Sequence, residues 1–353
     1  MENPERDRLA EYDYELPPER IARKPAEPRD AARLLVLDPS SGRREHRVFR
    51  DLPEYLSPGD LLVLNETRVL PRRILGRRVT GGSVEALLVA PAPGGGWRAF
   101  VRARRPLEEG ERIPFEEGAL EARVLARRGG GEAVLAFERE DEVERVLGDV
   151  GRAPLPPYVR RSRAEDGLRE LDLGRYQTVY ARDPGAIAAP TAGLHFTADL
   201  LGTLEANGVG IARVTLHVGP GTFLPVRSDP ISSHRLEPER YRIDAAAAAS
   251  IERARAASKR VFAVGTTVVR ALEGAALADG SVSAGEGETS LFVRPPFRFR
   301  VVSSLLTNFH LPRSTLLMLV AAFAGRERLL EAYREAVERG YRFYSYGDAM
   351  LIV

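Results

Sequence analysis

The sequence predicts an α/β fold, with α+β character, in which a large α/β domain with a mixed sheet is interrupted by an inserted small β-barrel domain. In the second half of the chain, short apolar runs alternate with helix-like segments. From residue 70 to residue 152, short alternating runs are separated by glycines, with no convincing helix between them. The expected organisation is a discontinuous α/β catalytic domain of residues 1–69 and 153–353 around an inserted domain of residues 70–152.

Length and composition exclude several classes of protein. The 353 residues suffice for two domains, and an apolar fraction of 44% supports ordinary hydrophobic cores. The chain contains no cysteine, so disulfides, thiolate metal ligands and cysteine nucleophiles are excluded. It has no apolar run of about 18 residues, and its charged N-terminus is unlike a signal peptide. We therefore expect a cytoplasmic protein with no membrane partner, and a monomer by default.

The predicted helices and strands follow from the hydrophobic periodicity and from the positions of proline, glycine and helix-capping residues. In the first half, Pro17 and Pro18 suit a helix start, and strands are expected at 33–38, 61–65, 84–89, 97–101, 120–125 and 133–137. In the second half, Thr197, Asp244 and Ser314 are predicted N-caps. Helices are expected at 198–206, 245–258, 268–277, 315–324 and 327–339, and strands at 211–218, 261–264, 304–306 and 349–353.

Polar loops follow several of these strands. Residues 219–222 follow one strand, 265–267 another and 307–310 a third, while the loop 190–197 ends on a helix. In open α/β sheets, ligands bind at the carboxyl ends of strands. We therefore expect these loops to share one site, and the chain to be an enzyme.

Histidine is rare in this chain but concentrated in these loops. His195, His217, His234 and His310 lie in or beside them, and only His46 lies elsewhere. A single loop histidine is more often an ordinary hydrogen-bonding residue, but the clustering favours proton transfer. His-x-x-x-His and Glu-x-x-His pairs are absent, so no metal site is predicted.

The Gly- and Thr-rich loops are candidate anion sites. The amides of 219–222, and those of Gly265-Thr266-Thr267 with Arg270 one helical turn later, can bind a carboxylate or phosphate. An ordinary turn and a capped helix start explain the same residues equally well. The dinucleotide fingerprint, the P-loop and the nucleophile elbow are all absent.

Charge is unevenly distributed along the chain, although the net charge is only +2. From Arg68 to Arg105 there are nine arginines and one acid, Glu85, and the balance reverses between residues 108 and 149. Such a stretch could contact nucleic-acid phosphates. A solvated, arginine-rich surface is the alternative explanation.

Several long motifs together resemble the S-adenosylmethionine:tRNA ribosyltransferase-isomerase family of queuosine biosynthesis. One is Asn65-Glu66-Thr67-Arg68, where the family has Asp at the second position. The resemblance covers nearly the whole chain and is weak only in the insertion. The matching stretches are 14–22, 28–36, 65–72, 176–181, 189–197, 215–225, 264–273, 306–325 and 341–351.

Two further departures from the family pattern are visible. The stretch His-x-Met-His-x-Glu reads 234–239 here and lacks the second histidine, which argues against an obligatory role for that position, while His234 and Glu239 remain. Pro-Gly-Tyr reads Pro295-Pro296-Phe297, which we expect to alter a turn rather than the chemistry.

The resemblance implies a specific reaction. The ribosyl moiety of S-adenosylmethionine would be transferred and isomerised onto 7-aminomethyl-7-deazaguanine at the tRNA wobble position, giving epoxyqueuosine-tRNA, adenine and methionine. S-adenosylmethionine would be a co-substrate, with no prosthetic group and no metal. The RNA partner would be a tRNA with a G-U-N anticodon.

On this interpretation His195 or His217 is the catalytic base or acid, and His310 is the third catalytic candidate. His310 with Asn308 would bind ribose or adenine, and an aromatic ring would stack on a base. The substrate-binding candidates are Asn65, Arg68, Thr191, Gly193, Phe196, Gly219, Thr222, Phe223, His234, Glu239, Thr266, Thr267, Arg270, Asn308 and Phe309. The candidate nucleic-acid contacts are Arg72, Arg73, Arg77 and Arg78.

Two other functions are compatible with parts of the sequence. An S-adenosylmethionine-dependent RNA methyltransferase would release S-adenosylhomocysteine instead of adenine and methionine. A non-catalytic RNA-binding protein would use the basic β domain, but would leave the loop histidines unexplained.

Overall fold

The computed structural model describes residues 8–156, 158–159, 167–219, 226 and 230–353. It divides into two compact units, one of residues 1–68, 156–160 and 177–353 and the other of residues 69–155 and 161–176. The first contains a large mixed sheet and the second a closed six-stranded barrel. The predicted fold class is confirmed, whereas the predicted domain boundaries at 69/70 and 152/153 stay a prediction.

The strands alternate with helices in the larger unit and follow one another in the barrel. Numbered along the chain, the strands are β1 (Arg33–Leu37), β2 (Arg44–Val48), β3 (Leu61–Asn65), β4 (Thr67–Val69), β5 (Arg73–Arg77), β6 (Ser83–Pro91), β7 (Trp97–Ala103), β8 (Arg112–Phe115), β9 (Leu120–Arg127), β10 (Glu132–Phe137), β11 (Asp183–Ala186), β12 (Gly210–Leu216), β13 (Glu239–Ile243), β14 (Val261–Val264), β15 (Gly285–Thr289), β16 (Ser304–Asn308) and β17 (Ala349–Ile352). The helices are α1 (Val143–Val150), α2 (Arg169–Arg175), α3 (Ala198–Ala206), α4 (Ala245–Ala256), α5 (Thr266–Ala275), α6 (Thr315–Ala324) and α7 (Arg326–Glu338).

The large sheet has nine strands in the order β15-β13-β12-β3-β14-β16-β17-β1-β2. Its centre is parallel, because β12, β3, β14 and β16 pair in parallel with their neighbours in this run. The outer pairs β12–β13, β13–β15, β16–β17 and β1–β2 are antiparallel, whereas β17–β1 is parallel. A parallel centre requires crossover helices and buries both sheet faces.

Alternate residues of the strands belong to two separate hydrophobic cores. Leu35 and Val63 pack on one face with α4, α5, α6 and α7, whereas Leu34 and Leu62 pack on the other face with α3. This alternation is the two-residue period of a strand. The central strands are apolar on both faces, as β3 illustrates with five buried residues.

Three predicted N-caps are confirmed. The side chains of Thr197, Asp244 and Ser314 accept hydrogen bonds from the backbone N–H groups three residues later, at the starts of α3, α4 and α6. Each cap satisfies one of the unpaired donors at a helix N-terminus. Helix α5 begins at Thr266, two residues before the predicted start.

The barrel closes in the order β10-β7-β6-β5-β8-β9, with a core of its own. Closure leaves no unpaired strand edge in the barrel. The sequence predicted four of these strands and missed β5 and β8, and α1 lies in a region where no helix was expected. Gly76 in β5 makes room for the Phe115 ring, which would lie 2.7 Å from an added Cβ atom.

Among the described residues, every helix is too short or too polar to span a lipid bilayer.

Candidate active site at the carboxyl edge of the sheet

Four adjacent parallel strands place the predicted loops along one edge of the sheet. The strands β12, β3, β14 and β16 are neighbours, so their carboxyl ends lie together. At about 4.8 Å between strands, this edge spans about 14 Å. His217, Thr67, Thr266 and His310 each lie within two residues of one of these strand ends. The residues that begin these loops are therefore neighbours along one edge, and the shared site stays a prediction.

Asn65 joins the ends of three strands. Its Oδ1 accepts hydrogen bonds from the backbone N–H groups of Thr67 and Leu216, each at 3.1 Å. Its Nδ2 donates to the Leu216 carbonyl at 2.9 Å and to Thr267 Oγ1 at 3.3 Å. Because the carboxamide is fully buried and makes four hydrogen bonds, it positions neighbouring groups rather than presenting a free amide.

His217 is held through one ring nitrogen. Its Nδ1 lies 2.8 Å from Thr67 Oγ1, and the same hydroxyl lies 3.5 Å from the carbonyl oxygen of Asp183. Both contacts are satisfied when the Thr67 hydroxyl donates to this carbonyl and accepts from Nδ1–H of His217. The lone pair of the imidazole is then on Nε2, which has no hydrogen-bond partner among the described residues.

The electrostatic surroundings of His217 favour a neutral ring. Burial lowers its pKa, the Asp183 carboxylate opposes this shift, and Arg242 and Arg240 add to it. Asp183 in turn accepts hydrogen bonds from Thr215 at 3.1 Å and from Arg242 at 2.8 Å. A neutral, half-buried imidazole with a free lone pair can accept a proton at neutral pH.

His195 is part of a second network centred on Asn308. Thr191 Oγ1 donates to Asn308 Oδ1 at 2.8 Å, and Asn308 Nδ2 donates to the Tyr344 carbonyl at 3.3 Å. The carbonyl fixes the orientation of the amide, so the same Nδ2 donates to His195 Nε2 at 3.1 Å. Neutral His195 therefore carries its proton on Nδ1, which has no acceptor among the described residues.

Burial keeps His195 uncharged. It lowers the pKa of His195 to about 4, although the Asp348 carboxylate opposes the shift. The positive charges of Arg342 and Arg29 lower it further. The ring also packs 5.0 Å from that of Phe49, centroid to centroid. At neutral pH this side chain can offer an N–H group but no charge.

His310 lies deeper in the fold. Its Nε2 is 2.8 Å from Thr307 Oγ1, and its backbone N–H donates to the Tyr333 hydroxyl at 3.1 Å. The Tyr14 hydroxyl donates to its carbonyl. Burial lowers the pKa of His310 to about 3. His310 is therefore bonded like a histidine of the hydrophobic core, unlike the half-buried His217.

One glycine allows the 191–195 loop to pack closely, and another precedes α5. Gly265 precedes α5 with φ of 91°, and an added Cβ there would lie 3.8 Å from Ala192. At Gly193 an added Cβ would lie 2.0 Å from the Tyr180 hydroxyl, so any other residue would displace the loop. The loop carrying His195 therefore packs beside the start of α5.

Some of the groups predicted to bind an anion are bonded to other residues of the protein instead. The backbone N–H of Gly219 donates to Glu239 at 3.0 Å, and Glu239 forms a buried ion pair with Arg270. Arg270 also donates to the Leu291 carbonyl at 3.1 Å, so its charge is compensated. The remaining candidate for an anion is the buried first turn of α5, with Thr266 and Thr267.

Several other predicted residues lie elsewhere. Phe196 and Phe309 are fully buried among other aromatic rings, so neither has a free face. His234 packs 5.3 Å from the Phe292 ring, and Arg68 is exposed in β4. Thr222 and Phe223 lie outside the described residues.

Three of the four arginines predicted to contact RNA have carboxylate partners. Arg77 is exposed and has no carboxylate within ion-pair distance among the described residues. With Arg98, which pairs with Glu132, four of the nine arginines between Arg68 and Arg105 thus have carboxylate partners. The pairs are Arg72–Glu144 at 2.6 Å, Arg73–Glu85 at 3.0 Å and Arg78–Glu111 at 2.6 Å.

Sequence reasoning missed a tyrosine pair beside the His195 network. The ring centroids of Tyr158 and Tyr344 are 3.9 Å apart, and both side chains are half-buried. Tyr344 has φ of 75°, an unusual conformation for a residue with a side chain that often marks functional sites. Tyr158 also bonds through its hydroxyl to Ser345. The aromatic run around Tyr344 was the available signal.

Comparisons with known proteins agree on one family. A family model described as queuosine biosynthesis protein matches residues 9–352. S-adenosylmethionine:tRNA ribosyltransferase-isomerases from Anaeromyxobacter sp. (strain Fw109-5) and Moorella thermoacetica are 56% and 53% identical, each over 98% of this chain and 99% and 100% of the relatives. A crystal structure of S-adenosylmethionine tRNA ribosyltransferase from Thermotoga maritima is 40% identical, with a TM-score of 0.54 over 97% of this chain and 100% of that one.

Proposed function

The chain belongs to the queuosine biosynthesis protein family and is an enzyme of the S-adenosylmethionine:tRNA ribosyltransferase-isomerase type, and we propose a specific reaction for it. It transfers and isomerises the ribosyl moiety of S-adenosylmethionine onto 7-aminomethyl-7-deazaguanine at the wobble position of a tRNA with a G-U-N anticodon. Epoxyqueuosine-tRNA forms, and adenine and methionine leave. The enzyme acts in the cytoplasm as a monomer.

This proposal is supported above all by the polar groups that four parallel strands place along one edge of the sheet. One hydrogen-bonded network joins Asn65 to Thr267, and another joins Asn308 to His195. Ala192 and Gly265 bring the two networks side by side. A co-substrate with a base, a sugar and an amino acid needs several such groups within one extended site.

His217 is the proposed base. The sulfonium of S-adenosylmethionine acidifies the hydrogens on the adjacent C5′ and makes methionine a good leaving group. Nε2 of His217 carries the free lone pair, and Thr67 fixes the ring at Nδ1. A positioned base of this kind contributes about 10²–10⁴-fold to a rate.

His195 is the proposed hydrogen-bond donor to the departing adenine. Asn308 holds the tautomer with a proton on Nδ1, and burial keeps the ring neutral. A preorganised donor stabilises negative charge that develops on the leaving base without having to reorient. Asn308 itself acts as the positioning residue.

The first turn of α5 is the proposed site for the methionine carboxylate. Helix N-termini present unpaired N–H groups and a positive dipole end. The hydroxyls of Thr266 and Thr267 lie on that turn, and Asn65 holds Thr267 at 3.3 Å. Arg270 is excluded from direct binding by its pair with Glu239.

Tyr158 and Tyr344 are the proposed stacking surface for a nucleobase. Both are half-buried, whereas Phe196 and Phe309 are fully buried. Aromatic rings commonly stack on unpaired RNA bases. For the RNA backbone, we propose contacts from Arg68 and Arg77, which are exposed and have no carboxylate partner among the described residues.

The test is product analysis with tRNA carrying the aminomethyl base. Incubation with S-adenosylmethionine should release adenine and methionine in equal amounts, together with a modified tRNA. tRNA with unmodified guanine at the wobble position is the matched control and should give no adenine. S-adenosylhomocysteine as the product would instead identify a methyltransferase, and tRNA binding without consumption of S-adenosylmethionine a non-catalytic protein.

A further inference from the structure

A basic cleft lies outside the residues assigned so far. It has a volume of about 650 Å³, within the range of roughly 300–1,000 Å³ that is typical of ligand sites. Ile21 and Ala22 form an apolar part of its wall, and Arg23, Lys24 and Arg342 line the rest with Glu19. Three cations and one carboxylate make it a candidate site for an anion.

Two of these cations are available to a ligand. The side chains of Arg23 and Lys24 are exposed, and neither has a carboxylate within ion-pair distance in the part of the chain that the structure describes. Unpaired, flexible cations around an open cleft suit a solvated polyanion better than a small ligand that needs a closed site.

The third cation is fixed in place. Arg342 donates from Nη1 to the Lys24 carbonyl at 3.3 Å and from Nη2 to the buried carboxylate of Asp348 at 3.4 Å. The backbone N–H of Arg342 also donates to Asp348, at 2.8 Å. Arg342 therefore connects the cleft wall to the segment that carries Tyr344.

This connection leads to the candidate active site. Tyr344 lies two residues after Arg342, and its carbonyl orients Asn308. Arg342 is also one of the charges that lower the pKa of His195, although burial is the larger cause. Arg342 thus links the cleft to the His195 network.

We propose that this cleft binds a backbone phosphate of the RNA substrate beside the nucleotide that enters the active site. Lys24 and Arg23 neutralise the phosphate, and Arg342, which is paired with Asp348, holds the backbone of Lys24 in place. The proposal rests on the proposed function, because that function supplies the RNA. It adds a contact that holds one strand of the substrate in register with the reacting base.

The test compares two charge-matched double variants of the full chain. Arg23→Gln/Lys24→Gln removes the two unpaired cations of the cleft. Arg328→Gln/Arg334→Gln removes two exposed arginines of α7 that form no ion pair among the described residues. Binding of tRNA is measured against KCl concentration, and adenine release is measured at saturating tRNA.

The cleft variant should bind tRNA about tenfold more weakly, and its salt slope should fall by about 0.7 to 0.9, as expected for the loss of one phosphate contact. Adenine release at saturating tRNA should stay within about twofold of the unsubstituted enzyme. Lys24→Arg, which keeps the charge, should bind like the unsubstituted enzyme. The α7 variant should show neither change.

Equal affinities and salt slopes in the two double variants would overturn the proposal. It would also be overturned if inorganic phosphate bound to the unsubstituted enzyme in a way that the cleft variant abolished, while tRNA affinity was unaffected. Failure of the proposed function would look different. In that case the unsubstituted enzyme would release no adenine, whatever the behaviour of the cleft variants.

Discussion

The carboxyl edge of the sheet and the surface of the barrel use polar residues in opposite ways. At the sheet edge, Asn65, Asn308 and His195 are buried and joined by neutral hydrogen bonds. On the barrel, Arg112 forms exposed ion pairs with Glu121 and Glu138. The edge thus fixes the orientation of ring nitrogens, whereas the barrel carries surface charges of which only some are paired.

This difference distinguishes the groups that we expect to take part in catalysis from those that we expect to carry surface charge. A buried neutral network preserves unpaired atoms, such as Nε2 of His217, that a substrate can use. An ion pair on a surface leaves little net charge and stabilises a protein by only about 0–1 kcal/mol. We therefore expect large kinetic effects from substitutions at the edge and small effects from those on the barrel.

The largest expected effect is on the rate. His217→Ala removes the proposed base and should reduce adenine release by at least about 100-fold, within the range of 10²–10⁴ for general bases. His46→Ala is the control, because His46 binds Glu335 and Tyr341 instead. Single-turnover rates that fall equally in both variants would contradict the contrast between the two histidines.

The second effect concerns pH and stability. The pKa values of His195 and His310 are about 4 and about 3 in the folded chain, below the unperturbed value of about 6.5. The unfolded state therefore binds more protons below pH 6.5, and the free energy of unfolding should fall as pH drops from 6.5 towards 4. At pH 5 the loss should be roughly 2 kcal/mol for each histidine.

Urea unfolding at pH 7 and pH 5 measures this loss. His310→Asn, which cannot titrate, should lose less stability between the two pH values than the unsubstituted chain. If the variant and the unsubstituted chain lost the same amount, His310 would not be the neutral buried group described above.

A third substitution separates positioning from chemistry. Asn308→Ala removes the donor that selects the His195 tautomer and should reduce adenine release by about tenfold to 100-fold. Thr191→Val, which removes only the bond to Asn308 Oδ1, should have a smaller effect. The ratio of the two rates shows whether His195 depends on Asn308, and a larger effect for Thr191→Val would reverse the assignment.

The smallest effects should occur on the barrel. Arg112→Gln breaks exposed pairs with Glu121 and Glu138 and should lower the free energy of unfolding by no more than about 1 kcal/mol. Arg77→Gln should leave stability unchanged but reduce the salt slope of tRNA binding by about 1. Thermal melts and salt titrations distinguish these outcomes, and the opposite pattern would mean that paired arginines bind the RNA.

The sequence was informative about elements with local signals. The caps at Thr197 and Asp244 and the central strand β3 could be predicted from a few neighbouring residues. The strand-to-loop pattern also placed His217 and Asn308 at one edge. Strand β5 was missed because arginines occupy its outward positions and Gly76 interrupts its apolar face.

What depends on distant partners could not be predicted. The acids that neutralise Arg72 and Arg78 lie 72 and 33 residues away along the chain. Tyr158 and Tyr344 are 186 residues apart in number, yet their rings meet. Asn65 was a plausible substrate contact until its four hydrogen bonds showed that it joins strand ends. Such pairings arise only when the sheet and loops assemble.

The most direct test of the central claim is a crystal structure with S-adenosylmethionine bound. The nucleoside should lie along the carboxyl ends of β12, β3, β14 and β16. C5′ should lie within reach of His217 Nε2, with adenine beside His195 and the carboxylate at the start of α5. A ligand bound elsewhere, without contact to these groups, would contradict the account.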